Sequence, residues 1–404
     1  MAAMASAEVV PGSSQHARVP SIDVVRGVIM VLMALDHVRV YSGIPPGGRD
    51  PAVFLTRWVT HFCAPGFFLL AGTSACLKGA ALGASSLGRW LLTRGMVLVV
   101  LELTFLRLAW TFNVDWAHYT LAGVIWSLGC CMVLLSAIVR LPMVAIAGGG
   151  LALVLGHNAI GPLIGSGLPE LLAGPLGPLL RILYFGGPFA LGGVTQPNVF
   201  VLYSLVPWLG VMCVGYAVGR MLERPAAQWR GWIVGWGMVS IVAFTVLRSL
   251  EWYGDHPWRA HPASEAWAAP WIMFLATTKY PASLQFRLMT LGPTLVALGL
   301  LGDAKAGLAS RLAVFGRVPL FFYLLHIPLI HLVAVAIAVV RTPASLPWLF
   351  GNHPVNPPPV PEGYRWGLPL LYGVALLVVL ALYWPCRWHM RVKAERRWGW
   401  TAYV

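Results

Sequence analysis

Ten apolar runs, each close to the roughly 20 residues a membrane-crossing helix needs, follow one another between residues 22 and 386. They lie at 22–41, 55–77, 90–110, 119–139, 142–157, 199–220, 231–249, 284–302, 317–340 and 367–386. Inside lipid the backbone must satisfy its own polar groups, so such runs fold as helices. Only 10% of the 404 residues are charged, against about 25% in soluble domains. That is too few to keep such a surface in water, which excludes a soluble enzyme, a disordered tail and a free nucleic-acid binder. The sequence predicts an all-α polytopic membrane protein, with about ten transmembrane helices in one bundle.

Around this bundle the sequence predicts a polar N-terminal segment over 1–20, a transmembrane domain over 21–388 and a basic tail over 389–404. No apolar stretch near the start reads as a cleavable signal peptide. The Gly/Pro-rich stretch 156–197 has room for a re-entrant or interfacial piece, and Ala266–Ala276 reads as a short interfacial helix. The loops 250–283 and 341–366 hold most of the remaining polar sequence.

The net charge of +14 is spread between apolar runs rather than gathered on one face, which marks topology and lipid headgroups, not nucleic acid. With ten crossings, sixteen Lys and Arg fall on the side of the termini and eleven on the other. By the positive-inside bias both termini are cytoplasmic, in an integral inner-membrane protein. None of the six cysteines forms a C-x-x-C pair, and His256 and His261 lack a completing carboxylate or thiolate. No metal site is expected.

The first run carries the sharpest chemistry, because it contains Asp23, Arg26, Asp36 and His37. Ionisable groups in a span are costly, and they mark function by default. Arg26 and His37 are eleven residues apart, which on a helix is about 20° past three full turns and about 16.5 Å of rise. One face thus offers a permanent cation near one surface and an imidazole near the other. That suits holding an anion at one end and moving a proton at the other. Asp23 can pair with Arg26 at i, i+3, while Asp36 points away from His37 and toward Arg39. The structural alternatives are a cap from Ser21 or Asp23 and an Arg26 that reaches the headgroups.

Other groups could share the work. His61 opens the second run with Arg57 one turn earlier, and Pro65-Gly66 interrupts that helix. Glu102 needs a partner inside the third run: it could orient His37, pair with Arg107 or stay protonated. Tyr323 and His326 share a face of the ninth run, lining a tunnel or bonded within the bundle. Lys78, Arg89 and Arg94 form a candidate phosphate clamp as well as topology signals, and Arg311 and Arg317 read the same way.

Ser21-Ile-Asp-Val-Val-Arg-Gly27 followed by Asp36-His37 resembles the opening of the transmembrane acyltransferase superfamily. Within it, the chain resembles bacterial relatives of the heparan-α-glucosaminide N-acetyltransferase catalytic domain. The spacing of Arg26 and His37 is similar to an arginine and histidine of the acyltransferase-3 branch. Further similar stretches are Arg57-Trp-Val-Thr-His-Phe-Cys-Ala-Pro65, Leu70-Ala-Gly-Thr-Ser74, Thr278-Lys-Tyr-Pro281, Gly316-Arg-Val-Pro319, Tyr323-Leu-Leu-His326 and Trp384-Pro-Cys-Arg387.

The resemblance implies acyl transfer from cytosolic acetyl-CoA or another acyl-CoA to an amine or hydroxyl of an extracytoplasmic glycan-type acceptor. His37 would be catalytic, with Asp36 and His61 beside it, as a general base in a ternary complex or as an acylated intermediate. Arg26, Asp23, Arg89 and Arg94 would bind the donor. The pantetheine arm of coenzyme A, with phosphates at one end and a thioester at the other, has a reach comparable to the Arg26–His37 span. The expected partners are acyl-CoA, a glycan or small-molecule acceptor and the lipid bilayer, with a homo-oligomer left open. The competing class is a transporter or flippase using Arg26, His37, Glu102 and His326 as a relay; inverted repeats would favour it, and none is evident.

Overall fold

The computed structural model describes residues 19–47, 50–192, 195–259, 269–301, 306–355 and 357–395. Each of the ten apolar runs contains a long helix. These are α1 (Pro20–Tyr41), α2 (Pro51–Leu82), α3 (Ala84–Leu101, continued to Thr111), α4 (Val124–Ile138) and α5 (Met143–Gly156). They are followed by α6 (Leu205–Leu222), α7 (Ala226–Leu250), α8 (Leu284–Leu300), α9 (Pro319–Arg341) and α10 (Leu368–Ala394). The protein is an all-α polytopic membrane protein. Among the described residues six helices are long and apolar enough on their own to cross a membrane: α2, α6, α7, α9, α10 and Met143–Ala173, in which α5 continues. α4 and α8 are apolar but shorter.

Two boundaries differ from the sequence expectation. The starts of the fourth and sixth runs are strands: β1 (Thr120–Ala122) pairs in parallel with β3 (Val199–Val201), and β2 (Gly187–Phe189) pairs antiparallel with β3. Three apolar residues carry no periodicity that separates a strand from a helical turn. The β-branched and aromatic Val-Phe-Val, however, favours a pleated edge. The stretch 157–185 folds as short helical turns. A helix spans Pro270–Leu275; the start of the expected interfacial helix, like the first eighteen residues and the end of the basic tail, lies outside the described residues.

α1 starts without a side-chain cap: Val19 holds the cap position and Pro20 follows it, so neither Ser21 nor Asp23 plays that part. The helix packs against the helix Gly307–Arg317, and the approach is close. A Cβ on Gly27 would lie 2.0 Å from the carbonyl oxygen of Leu312, and one on Gly316 only 1.8 Å from that of Asp23. Small residues at such crossings let backbones touch where lipid supplies no hydrophobic drive.

α1 and α9 run side by side in the same direction. Arg26 donates to Gly316 O at 3.1 Å, just ahead of α9; His37 meets His326; Tyr41 stacks on His331 with centroids 4.5 Å apart.

Candidate active site

His326 fixes the state of the candidate base. Its Nδ1 lies 2.8 Å from Tyr323 O and 3.1 Å from Phe322 O. Carbonyl oxygens only accept, so this nitrogen carries the hydrogen, and in a neutral ring Nε2 is then a bare acceptor. His37 Nδ1 sits 2.6 Å from that Nε2 and must be the donor. The remaining nitrogen of His37, Nε2, is left with its lone pair. Trp110 packs edge-on against the His37 ring with centroids 4.8 Å apart.

His37 borders a cavity of about 440 Å³, shared with Asp36, Arg57, Glu102, Trp110 and Tyr280 among others. The strand ends supply part of its wall through Leu121 and Leu202. Asp36 is here but serves arginines: its carboxylate accepts from Arg39 at 3.2 Å and pairs with Arg57 at 3.8 Å. The stretch that carries Tyr280 is tied to Asp255 on both sides of it. Asp255 accepts from Thr278 N at 2.9 Å, Thr278 Oγ1 at 2.6 Å and Ser283 Oγ at 2.8 Å, pinning the Thr278–Pro281 stretch. His353, in the loop before α10, donates from Nε2 to Trp348 O at 3.1 Å. Burial pushes its ionisation down to about 4.

Glu102 bonds to neither His37 nor Arg107, the two partners open to it in the sequence. It accepts from Ile125 N at 3.1 Å and Trp126 N at 3.3 Å, capping the start of α4 from another helix. A carboxyl oxygen there meets the free N–H groups of a helix start. Arg107 instead donates to Tyr119 O at 3.2 Å, Thr111 Oγ1 at 2.7 Å, Asp115 O at 2.6 Å and Asn113 O, stapling the loop after α3.

A second cavity, of about 270 Å³, lies toward the start of α1. Five cationic side chains border it: Arg26, Lys78, Arg94, Arg317 and Lys393. Arg26 is oriented by donation to Ser74 Oγ at 2.6 Å and Gly316 O at 3.1 Å, with Asp23 at 4.0 Å. Asp23 also meets Arg317 at 3.4 Å. Lys78 sits 4.6 Å from the Trp90 ring centroid and Arg94 5.5 Å, so one indole supports two cations. Deeper in, Met30, Leu98 and Met132 make the lining apolar.

The structure thus brings His37 and Asp36 to one cavity and Arg26 and Arg94 to the other. His61 borders neither; it is buried against Phe286, with centroids 5.4 Å apart. Arg89 is exposed and also lies outside both linings. Ser74, Trp110 and Lys393 escaped the sequence reading, although Ser74 closes one of the stretches that carry the resemblance. Among the described residues no three His, Cys, Asp or Glu side chains gather as a metal site.

These features define a polytopic helical membrane protein whose reactive groups sit inside the bundle, between a cationic cavity and a histidine-bearing one. Residues 18–257 match the model of the family described as heparan-alpha-glucosaminide N-acetyltransferase, catalytic, and the chain belongs to that family. No curated protein matches the chain. Arg26, Asp36, His37 and Glu102 fall within the matched residues, whereas Arg317, Tyr323 and His326 lie beyond them.

Proposed function

We propose that the protein is an integral membrane acyltransferase that moves an acetyl or other acyl group from acyl-CoA to an amine or hydroxyl of a glycan-type acceptor. The observation that carries this reading is the hydrogen-bonded pair of His37 and His326, which leaves His37 Nε2 free to take a proton. The donor's phosphates lie against Arg26, Lys78, Arg94, Arg317 and Lys393, and the apolar depth of that cavity receives the pantetheine and acyl end. The acceptor occupies the cavity bordered by His37, Arg57 and Tyr280.

As the acceptor nitrogen or oxygen attacks the thioester carbon, its proton passes to His37 Nε2. Collapse of the tetrahedral centre breaks the C–S bond, and the departing thiolate takes the proton from Nε2. His326 stabilises the charged ring during the step by accepting from Nδ1–H. If His37 is instead acylated, the same bare Nε2 is the nucleophile. The positive-inside balance supports an inner-membrane orientation with cytoplasmic termini and the donor cavity facing the cytosol.

The test is release of free thiol from acetyl-CoA by purified protein in lipid, with and without amino- and hydroxyl-bearing saccharides. Acceptor-stimulated release, with the acetyl group recovered on the saccharide, is expected. Folded protein that neither binds acyl-CoA nor releases thiol with any acceptor would overturn the reading and move a transporter ahead of it.

A further inference from the structure

Among the described residues Tyr323 alone borders both cavities. On the cationic side its neighbours in the lining include Met30 and Leu320; on the other side they are His37 and Trp110. Its ring stands edge-on to the His37 ring, with centroids 6.0 Å apart and planes at 89°. It is also 5.1 Å from the His326 ring, and the residue is almost wholly buried.

The backbone of Tyr323 is tied, because its carbonyl accepts from His326 Nδ1 at 2.8 Å. Moving the main chain would disturb the hydrogen bond that sets the His37 tautomer. Turning the side chain about its own torsions would not. One residue therefore combines a carbonyl held by His326 with a place in the lining of both cavities.

We propose that Tyr323 is an internal gate: its ring closes the passage between the cationic cavity and the His37 cavity, and swings aside to admit the acyl end of the donor. The inference rests on the acyltransferase reading for what passes, but not for the partition itself. A permanently open passage would bring water to the thioester, and exclusion of water is what protects a reactive acyl group until its acceptor arrives.

The partition is tested without any substrate. Ala71 borders the cationic cavity, so Ala71→Cys in proteoliposomes reports which side admits a membrane-impermeant thiol reagent, read as labelling above that of the parent chain. With Tyr323 in place, labelling is expected only from the side nearer Arg26. With Tyr323→Ala added, labelling from the His37 side should rise at least tenfold, whereas Tyr323→Phe should stay one-sided.

Labelling from both sides with Tyr323 intact would overturn the gate. So would one-sided labelling in a Tyr323→Ala variant that still reacts from the Arg26 side. Should that variant lose labelling from both sides through misfolding, Tyr323→Leu carries the same two outcomes. Because no acyl-CoA enters the assay, a chain that proves inactive yet switches from one-sided to two-sided labelling keeps the gate and loses only the transferase reading.

Discussion

His37 and His326 are joined by a 2.6 Å contact between Nδ1 of the first and Nε2 of the second, across 289 positions of sequence. The pair resembles the histidine and carboxylate of a hydrolase triad in logic, since the second residue sets which nitrogen of the first carries the hydrogen. Here the orienting group is neutral, and two backbone carbonyls hold its own tautomer.

His37→Ala removes the proposed base while leaving the cationic cavity's lining unchanged. Acyl transfer should fall by about 10²–10⁴-fold, the usual worth of general acid–base catalysis. Donor affinity, read by calorimetric titration with acetyl-CoA, should change less than twofold. Near-normal turnover in the variant would remove His37 from the mechanism.

In the proposed mechanism His326 acts through His37, so its loss should fall on kcat rather than on KM. His326→Ala lets the His37 ring adopt either tautomer and rotate, and kcat should drop by about 10²-fold or more, by analogy with the cost of a misplaced tautomer in a triad. The acid limb of the kcat/KM profile should move, because the group bonded to the base has changed. An equal fall in donor binding and turnover, with an unmoved pH profile, would mark His326 as a packing residue only.

Arg26→Ala should weaken donor binding with little effect on turnover at saturating donor. A hydrogen bond to a charged group is worth about 1.5–3 kcal/mol, or roughly 10–150-fold in affinity. Arg26→Lys keeps the charge but not the fork that reaches Ser74 and Gly316, and should fall between the two. Unchanged acetyl-CoA affinity in Arg26→Ala would place the donor elsewhere.

His353 links acidity to the loop before α10. Its ionisation is about 4 in the folded protein and about 6.5 in an unfolded chain. Between these values the unfolded state binds more protons, so stability is full above about pH 6.5 and is lost as pH falls toward 4. The slope approaches about 1.4 kcal/mol per pH unit. Thermal melting of wild type and His353→Gln across this range should show a steeper acid loss for wild type, and parallel curves would deny the linkage.

What the sequence disclosed follows from what its local patterns encode. Helix periodicity places Arg26 and His37 on one face because both lie on α1, and the i, i+3 spacing places Asp36 beside Arg39 for the same reason. His326 was visible as an ionisable residue in a span, but its partner lies 289 positions away, and no periodicity spans that distance. Lys393 reads as part of a basic tail until α10 proves to run on to Ala394 and carries it to the cationic cavity. The partner of Glu102 was not legible for a different reason. The natural search for its partner looks for a cation, whereas it is satisfied by the open N–H groups of a helix start, which any sequence possesses.

That cap gives the last prediction. A Cβ on Gly123 would lie 2.4 Å from Glu102 Oε1, so the glycine leaves the space the carboxylate fills. Glu102→Ala should cost about 1–2 kcal/mol, the range for losing a helix cap. Gly123→Ala should cost a similar amount by pushing the carboxylate off Ile125 and Trp126. If both act through one contact, the double variant should be clearly less destabilised than the sum of the singles, since neighbouring residues that share an interaction are not additive. Denaturant or thermal unfolding of the four proteins in one detergent measures the cycle. Full additivity would mean that Gly123 is required by the strand-to-helix turn itself and not by Glu102.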